Sequence, residues 1–530
     1  MGERDLMKRF NNQQGLALTL VLALMVIATI LGFAVMNVVD AQTLMVSRHQ
    51  QREQALHFAE AGIHSYMAQL SKDSKYYKTT AMQNTNTPFE SAGYFRLTVD
   101  APNSSSPYVI ISSTGWANNS DIKRTVEVKL QKKEFVRNLI TTNVGGDRFW
   151  YTNRFIRGDV INGPLHMNGD LVVDGYHGDG QTGPVFTGPV TYSGNFIEII
   201  GGASELIDAI DIFDWLPNTD STVDFQAGNP VNVDRMGLPS SNENLKTIAN
   251  YVFNGRTCIH IENSSVKVKD KEGAETTLTI PEDGLVIYVE GTTGNNKWSK
   301  EIANVYMSGV LNGRLTIAAE NDIYITANDP TIWNNPGTTT AAAGGITYAD
   351  LGSTAITSQS DLETALLNCN DMLGLIANRN VRILHYNWPK AGGSWYGTRL
   401  DVAPTTINIH ASIFAVTGSF EYEEHTSGST KGNVNLIGSI TQYKTGPLAG
   451  FAVNLMDLPA PYDILNERSS GYGKNYWHDP RLMYELPPNF LEPTNSGWEI
   501  IEWREKSNPS TLSWFRESVP AAGIIILNIK

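Results

Sequence analysis

A chain of 530 residues with 41% hydrophobic and 18% charged side chains has the composition of a globular protein, long enough for two or three domains. Its formal net charge of −14, with no run of lysine or arginine, argues against a nucleic-acid surface, because phosphate binding needs clustered cations. The 46 glycines, with many asparagines and aspartates, imply many tight turns and therefore many short strands.

Residues 15–36, GLALTLVLALMVIATILGFAVM, contain no charged side chain, and charge is absent from Asn11 through Val39. At ~1.5 Å rise per residue such a helix covers roughly 33 Å, enough for the hydrocarbon core of a bilayer. The apolar core of a cleaved secretory signal is usually only about 7–15 residues, and no small-x-small cleavage site follows this one. The segment therefore reads as a retained single-pass anchor, with the lipid bilayer as its first partner. Arg4, Lys8 and Arg9 precede it and Asp40 is the first charge after it. That asymmetry places the N-terminus in the cytoplasm and everything from about residue 42 outside the bacterial cytoplasmic (inner) membrane, possible display at the cell surface included. On hydropathy alone a plain signal anchor reads equally well.

Beyond the span, Ala55, Leu56, Ala59, Gly62, Ile63, Tyr66, Met67 and Leu70 recur at three- and four-residue steps and so share one helical face. Arg52, Glu53, His57, Glu60 and His64 fall on the other face. No proline interrupts residues 16–70, so one helix on the order of 80 Å is expected. Residues 71–92 are polar and read as a loop. The period then changes to two: 94–99, 108–111 and 125–130 are strand candidates, separated by turn-rich stretches at 102–107 and 115–119. Three such strands need an apolar cover, and the stripe ending at Leu70 is the nearest one, giving a small helix-on-sheet unit over 71–135.

Gln13-Gln14-Gly15-Leu16-Ala17-Leu18 puts a glycine at the boundary between a basic leader and an apolar helix. It resembles the QxGxAL start of PilX-type minor pilins and related type IV pilin-like proteins. About 40 residues on, Gln54-Ala55-Leu56-His57-Phe58-Ala59-Glu60-Ala61-Gly62-Ile63 resembles the AxxAAEAGLE segment those proteins carry in the same place. The resemblance covers roughly residues 10–132. It implies a leader over 1–15, cleavage between Gly15 and Leu16 by a prepilin peptidase, and other pilin-like subunits as partners. In one respect the chain departs from the pattern: the fifth residue counted from Leu16 is Leu20, where fibre-forming pilins carry a glutamate. A minor, capping or non-assembling subunit fits that departure better than a fibre-forming one.

From about residue 149 the texture changes. Gly158, Gly163, Gly169 and Gly175 recur every five or six residues between Val160, Leu165, Met167, Leu171 and Val173, and 185–194 repeats the pattern. Regularly punctuated short strands suggest a β-solenoid, in which each coil covers the next; a large β-sandwich is the alternative. Two helical patches, 205–215 and 242–253, interrupt this texture. Strands are expected again at 257–262, 265–269, 276–280, 285–290, 305–310, 313–319 and 322–326, and residues 308–317 echo 158–173. Residues 334–360 read as an exposed low-complexity excursion and 361–370 as a helix. Strands resume at 372–377, 381–385, 407–415 and 433–442. The segments Asp371–Ala377, Ile409–Ala415 and Tyr476–Leu482 resemble a poorly characterised domain that follows PilX-like N-termini in bacterial envelope proteins, across roughly 140–500. That resemblance implies a solenoid-type body over 145–458 and no established activity. Residues 459–530, with Pro487-Pro488, Trp498, Trp503 and Trp514, read as a cap over the open end of the stack or as an aromatic binding surface. The fold class expected is α+β, mainly β: a transmembrane helix, a pilin-like helix-on-sheet unit, then a solenoid body.

Signs of catalysis are sparse. The chain carries no GxSxG, HExxH, Walker or GxGxxG pattern in its proper setting. Cys258 and Cys369 sit in apolar or strand-like contexts where pairing and free burial are both open, and neither has a ligand set beyond His260. Glu421, Glu423, Glu424 and His425 form an acidic knot that reads as a solvated strand end. Fragments 175–178 and 218–220 faintly resemble pectin-hydrolase motifs, but the paired aspartates and a trailing Arg-Ile-Lys are missing, so no enzyme, cofactor or metal is expected. The function expected is a membrane-anchored, type IV pilus-like envelope protein with a structural or adhesive role. Two rivals stay open: a signal-anchored surface module that binds polysaccharide, and a carbohydrate-active enzyme.

Overall fold

A computed structural model describes residues 4–506 apart from 90, 104–105, 146–154, 156–157, 175–182, 200–222, 333–342, 352–355, 387–399 and 452–467, with side chains from Leu18 onward. The expected helical patch at 205–215, both pectin-hydrolase-like fragments and Trp514 lie outside the described residues. The chain is mainly β with one long helix, and it divides into two compact units, Met1–Gln131 with Trp498–Lys530, and Lys132–Gly497.

The first unit is built on α1 (Arg4–Lys72), 69 residues in one piece and so about 100 Å long. Its last third buries Ala59, Ile63, Tyr66 and Leu70 against an antiparallel sheet of β1 (Asn86–Phe89), β2 (Gly93–Asp100), β3 (Val109–Ala117) and β4 (Lys123–Lys132). Alternating Phe95, Leu97, Val109, Ile111, Val126 and Val128 supply the facing layer, as their period of two requires. Helix and sheet approach closely because Gly115 has no side chain: a β-carbon there would lie 2.2 Å from the Ala59 amide nitrogen and 2.3 Å from the Ala55 carbonyl oxygen. The polar stretch expected as loop also contains the short strand β1.

The fifth strand of this sheet, Trp498–Lys506, comes from the far end of the sequence and lies beside β4. Cross-strand charges accompany it. Glu127 accepts from Arg504 Nε at 3.0 Å, from Ser112 Oγ at 3.0 Å and from Lys506, while Lys129 pairs with Glu502 at 2.6 Å and Arg124 with Glu505. Burial would raise the Glu127 pKa, but the bonds from Lys506, Arg504 and Ser112 outweigh it and bring it down to about 2.

The second unit is one large sheet whose long-range pairings are mostly parallel, arranged in rows. The first row stacks Tyr251–Asn254, Leu285–Glu290, Arg314–Ala319, Met372–Ala377 and the ends of Thr406–Ala415 and Thr430–Gln442. Residues Ile440 to Gln442 then pair with Ile140 to Thr142, and the row continues through Leu165–Met167, Val190–Tyr192 and Val231–Asn232. The spatial order therefore runs from residue 251 to 442 and on from 140 to 232. A second row starts at Thr257–Asn263 and passes through Val305–Leu311, Ala343–Tyr348, Thr406–Ala415, Thr430–Gln442 and Arg468–His478 to Val160–Asn162. A third, shorter row links the start of Val305–Leu311 to Ile323–Ile325, Val381–Ile383 and Phe420–Tyr422.

Glycines mark where one strand passes between rows. In Thr430–Gln442, the residues before Gly438 pair with Arg468–His478 and those after it with Ile140–Thr142. Gly438 takes φ +148°, and a β-carbon there would lie 1.9 Å from the Ala411 carbonyl oxygen. Gly309 plays the same part in Val305–Leu311, with φ +130°.

Because the stack's spatial order differs from its chain order, the chain must run back from Asn232 to Tyr251. Residues 233–250 make that return outside the first row, where Met236 and Leu245 pack with Tyr288, Ile376, Phe414 and Phe490. This corrects the helix expected at 242–253: the segment holds a short 3-10 turn, Glu243–Thr247, and then the strand Tyr251–Asn254. Asn242, fully buried, opens this turn and ties it across the row, donating from Nδ2 to the Ala319 and Ile376 carbonyls at 2.9 and 3.1 Å and from its backbone N–H to Asn378 Oδ1 at 2.8 Å, and the turn ends where the Asn250 N–H donates to the Val286 carbonyl at 2.9 Å. The excursion expected at 334–360 also needs correction, since Ala343–Tyr348 is a strand of the second row with Ile346 fully buried. The helix expected at 361–370 is Gln359–Leu366, capped by Ser358 Oγ accepting from the Asp361 amide.

Replacing Asn242 with alanine removes its side-chain bonds to both carbonyls and to the Tyr288 hydroxyl, and is expected to cost roughly 1–3 kcal/mol, read as a lower urea midpoint for the second unit. The first unit responds to acid instead. A carboxylate held below its ordinary 4.5 stabilises above that value and loses its contribution as pH falls toward 2, so thermal stability of this unit should drop across that window. Glu127→Gln should lower stability at pH 6 and flatten the drop; an unchanged slope in the variant would remove Glu127 from the account.

Candidate functional site

Two features stand apart from packing. One is the apolar N-terminal part of α1. Each large apolar side chain from Leu18 to Val46 is 49–72% exposed, and no described residue covers this stretch. Among the described residues this is the one helix long and apolar enough to cross a bilayer. A bare apolar surface of that extent is what a lipid or protein partner covers. Gly15 and Leu16, the expected processing pair, lie on the helical backbone of α1, and their side chains lie outside the described ones.

The other feature is a cleft of about 270 Å³ where three turns of the stack lie one above another, lined by Arg379, Arg382, Thr417, Glu421 and Lys444. Arg379 is in the turn between Met372–Ala377 and Val381–Ile383, Thr417 in the turn between Thr406–Ala415 and Phe420–Tyr422, and Lys444 just after Thr430–Gln442. Backbone bonds keep these turns in step: Thr417 N–H donates to the Asn378 carbonyl at 3.0 Å and Lys444 N–H to the Gly418 carbonyl at 3.2 Å. Gly418 permits the contact, since a β-carbon there would lie 2.2 Å from Asn380 Oδ1.

Behind the cleft runs a ladder of buried polar side chains at the same corner. Asn304 Oδ1 accepts from the Asp322 backbone amide at 3.2 Å, and Asp322 Oδ1 accepts from the Asn380 backbone amide at 2.9 Å. Asn380 Oδ1 accepts from the Ser419 amide at 3.0 Å, and Gln442 Oε1 from the Phe420 amide at 3.1 Å. Each rung satisfies a backbone N–H that leaves the strand ladder where the chain bends. Beside it, Trp298, Tyr306 and Tyr324 stack at centroid spacings of 5.1 and 4.9 Å, close to the ~4.8 Å between paired strands. The row in register with them continues as Arg382 and Glu421.

Arg382 is compensated: its Nε lies 2.7 Å from Glu421 Oε1 and its Nη1 3.5 Å from Asp322 Oδ2. Burial works against its charge, but Asp322 and Glu421 outweigh this and its pKa is raised. Among the described residues Arg379 donates only to neutral oxygens, those of Gly294, Asn295 and Asn321. Lys444 Nζ has no hydrogen bond or ion pair among the described residues.

Other sets noted in the sequence are held by contacts of their own. Of the acidic knot, Glu423 is bound at both oxygens by Lys297 at 2.7 Å and receives the His385 backbone N–H at 3.2 Å, so it clamps two loops rather than facing solvent. Cys258 and Cys369 are both free and buried, in separate apolar clusters, and burial pushes each thiol up to about 11. His260 approaches Asp329 at 3.9 Å, but Asp329 already accepts from Thr331 and Glu262 pairs with Lys267. Sequence reasoning missed the cleft, because its cations come from three separate turns and form no local motif.

No protein-family model matches the chain, and no curated protein sequence does. Among solved structures, the competence-associated pilin ComZ from Thermus thermophilus aligns over 86% of this chain and 97% of its own, at 10% identity and a TM-score of 0.30. A likeness of that size carries no argument about fold or function.

Proposed function

We propose that the chain is a pilin-like subunit of the bacterial envelope, of the PilX-like minor type, anchored in the cytoplasmic membrane by α1 with its N-terminus inside. The observation that carries this reading is the division of α1: an uncovered apolar stretch from Leu18 to Val46 continuous with a stripe that packs on an antiparallel sheet. A helix used only as a tether has no reason to serve also as the core of a domain; a pilin-type subunit needs both halves in one rod. The motifs at Gly15-Leu16 and at 54–63 support the same reading, with a prepilin peptidase and other pilin-like subunits as partners. The stacked parallel rows of the second unit are read as a β-solenoid displayed outside the membrane. Leu20, in place of a glutamate, favours a minor or capping position over a fibre-forming one, and the role assigned is structural or adhesive rather than catalytic.

The intact mass and N-terminal sequence of the protein from its native membrane test this. A first residue of Leu16, with or without a methyl group, is the expected result. A chain beginning at Met1 or Gly2 would instead make α1 a signal anchor for a tethered surface module and overturn the pilin reading.

A further inference from the structure

We propose that the cleft between Arg379, Arg382 and Lys444 binds a carboxylate-bearing saccharide, specifically a short uronic-acid chain lying along the stack of turns. The cleft holds three cations and one carboxylate on a chain whose formal net charge is −14. Arg382 is spoken for by Asp322 and Glu421, which leaves Arg379, bonded to neutral oxygens alone, and Lys444, bonded to no described side chain, facing the same space. Two uncompensated like charges on one polar hollow repel each other, and an anion between them relieves that repulsion.

The spacing and the neutral partners narrow the anion. Arg379 and Lys444 stand two rungs apart with Thr417 between them, which at ~4.8 Å per rung separates their backbones by roughly 10 Å along the stack, while both side chains line one cleft. A cleft of about 270 Å³ is larger than a single small oxyanion fills, whereas a uronic-acid chain offers it carboxylates for the cations and hydroxyls for Glu421 and Thr417. Glu421 accepts from Ser419 Oγ at 2.8 Å and is ion-paired with Arg382, and as a full carboxylate has lone pairs left to accept from sugar hydroxyls. The same Glu421 charge disfavours phosphate, which carries about −1.5 to −2 at neutral pH, more than a monoanionic carboxylate. Thr417 and Lys444 are exposed, so a chain longer than the cleft can run on into solvent.

This inference rests on the proposed function only in placing the second unit outside the membrane, where such polymers are met. The test is isothermal titration of digalacturonate into the full chain in detergent micelles, with maltose and inorganic phosphate as competitors. Digalacturonate is expected to bind, to weaken as salt rises, and to lose roughly tenfold or more in affinity in Lys444→Gln and in Arg379→Gln. Lys444→Gln breaks no described contact and should melt as the parent does, so its loss reads as a binding effect. Absence of binding, equal binding of maltose, displacement by phosphate at lower concentration, or an unchanged affinity in Lys444→Gln would each overturn the proposal. A chain that starts at Met1 yet binds digalacturonate sinks the pilin reading alone; one that starts at Leu16 and does not bind sinks the cleft alone.

Discussion

Parallel stacking lays successive turns of the second unit's rows directly on one another, and at each bend backbone N–H groups leave the strand ladder. Buried, unpaired amides are costly, so the corner is workable only if something accepts from them. Asn304, Asp322, Asn380 and Gln442 do so in sequence, each accepting from the rung that follows or adjoins it. Once that ladder is in place, the row beside it is in register too, which is why Tyr306 and Tyr324 stack and why Arg382 and Glu421 meet, with Trp298 laid on Tyr306 from a loop. The cleft is a by-product of the same alignment: three turns in step bring Arg379, Thr417 and Lys444 to one hollow.

The first unit solves a different problem with one rod. An α-helix about 100 Å long cannot bury its whole length against a five-stranded sheet, and α1 does not try. Its apolar residues wrap all faces of the Leu18–Val46 stretch and retreat to a single stripe beyond it. That change of pattern separates a segment meant for a nonpolar surrounding from one meant for a domain core. Gly115 sets how close helix and sheet come, while the ion pairs of Glu127, Lys129 and Arg124 bind a strand drawn from the other end of the chain.

Both units are closed by distant sequence. Trp498–Lys506 completes the sheet of the first, and in the second Ile140–Thr142 docks on Ile440–Gln442. The second closure is why a return segment exists at all, and Asn242 secures that segment by bonds to two carbonyls of the row it crosses. Contacts of such sequence separation form late and slowly, so integrity of these closures depends on the whole unit being folded.

Local pattern by itself determined a good deal. The uncharged run and its flanks show in composition, the stripe from Ala55 to Leu70 in its period, and strands such as 285–290 and 372–377 in runs of apolar and β-branched residues, because each depends on neighbours within one helix or strand. Glycine spacing likewise announced turns, and Gly309 and Gly438 prove to be the bends between rows. Tertiary structure decided the rest. The stretch 242–253 has helical spacing, yet Asn242 finds better hydrogen-bond partners in strands nearly 80 and 135 positions away, and Tyr251 to Asn254 pair with Leu285–Glu290. The strand Ala343–Tyr348 hides in a low-complexity sequence, since its stability comes from the rungs on either side. The cleft was unreadable for the same reason: its charges become neighbours only when successive turns stack, and no period in the sequence records which turns those are.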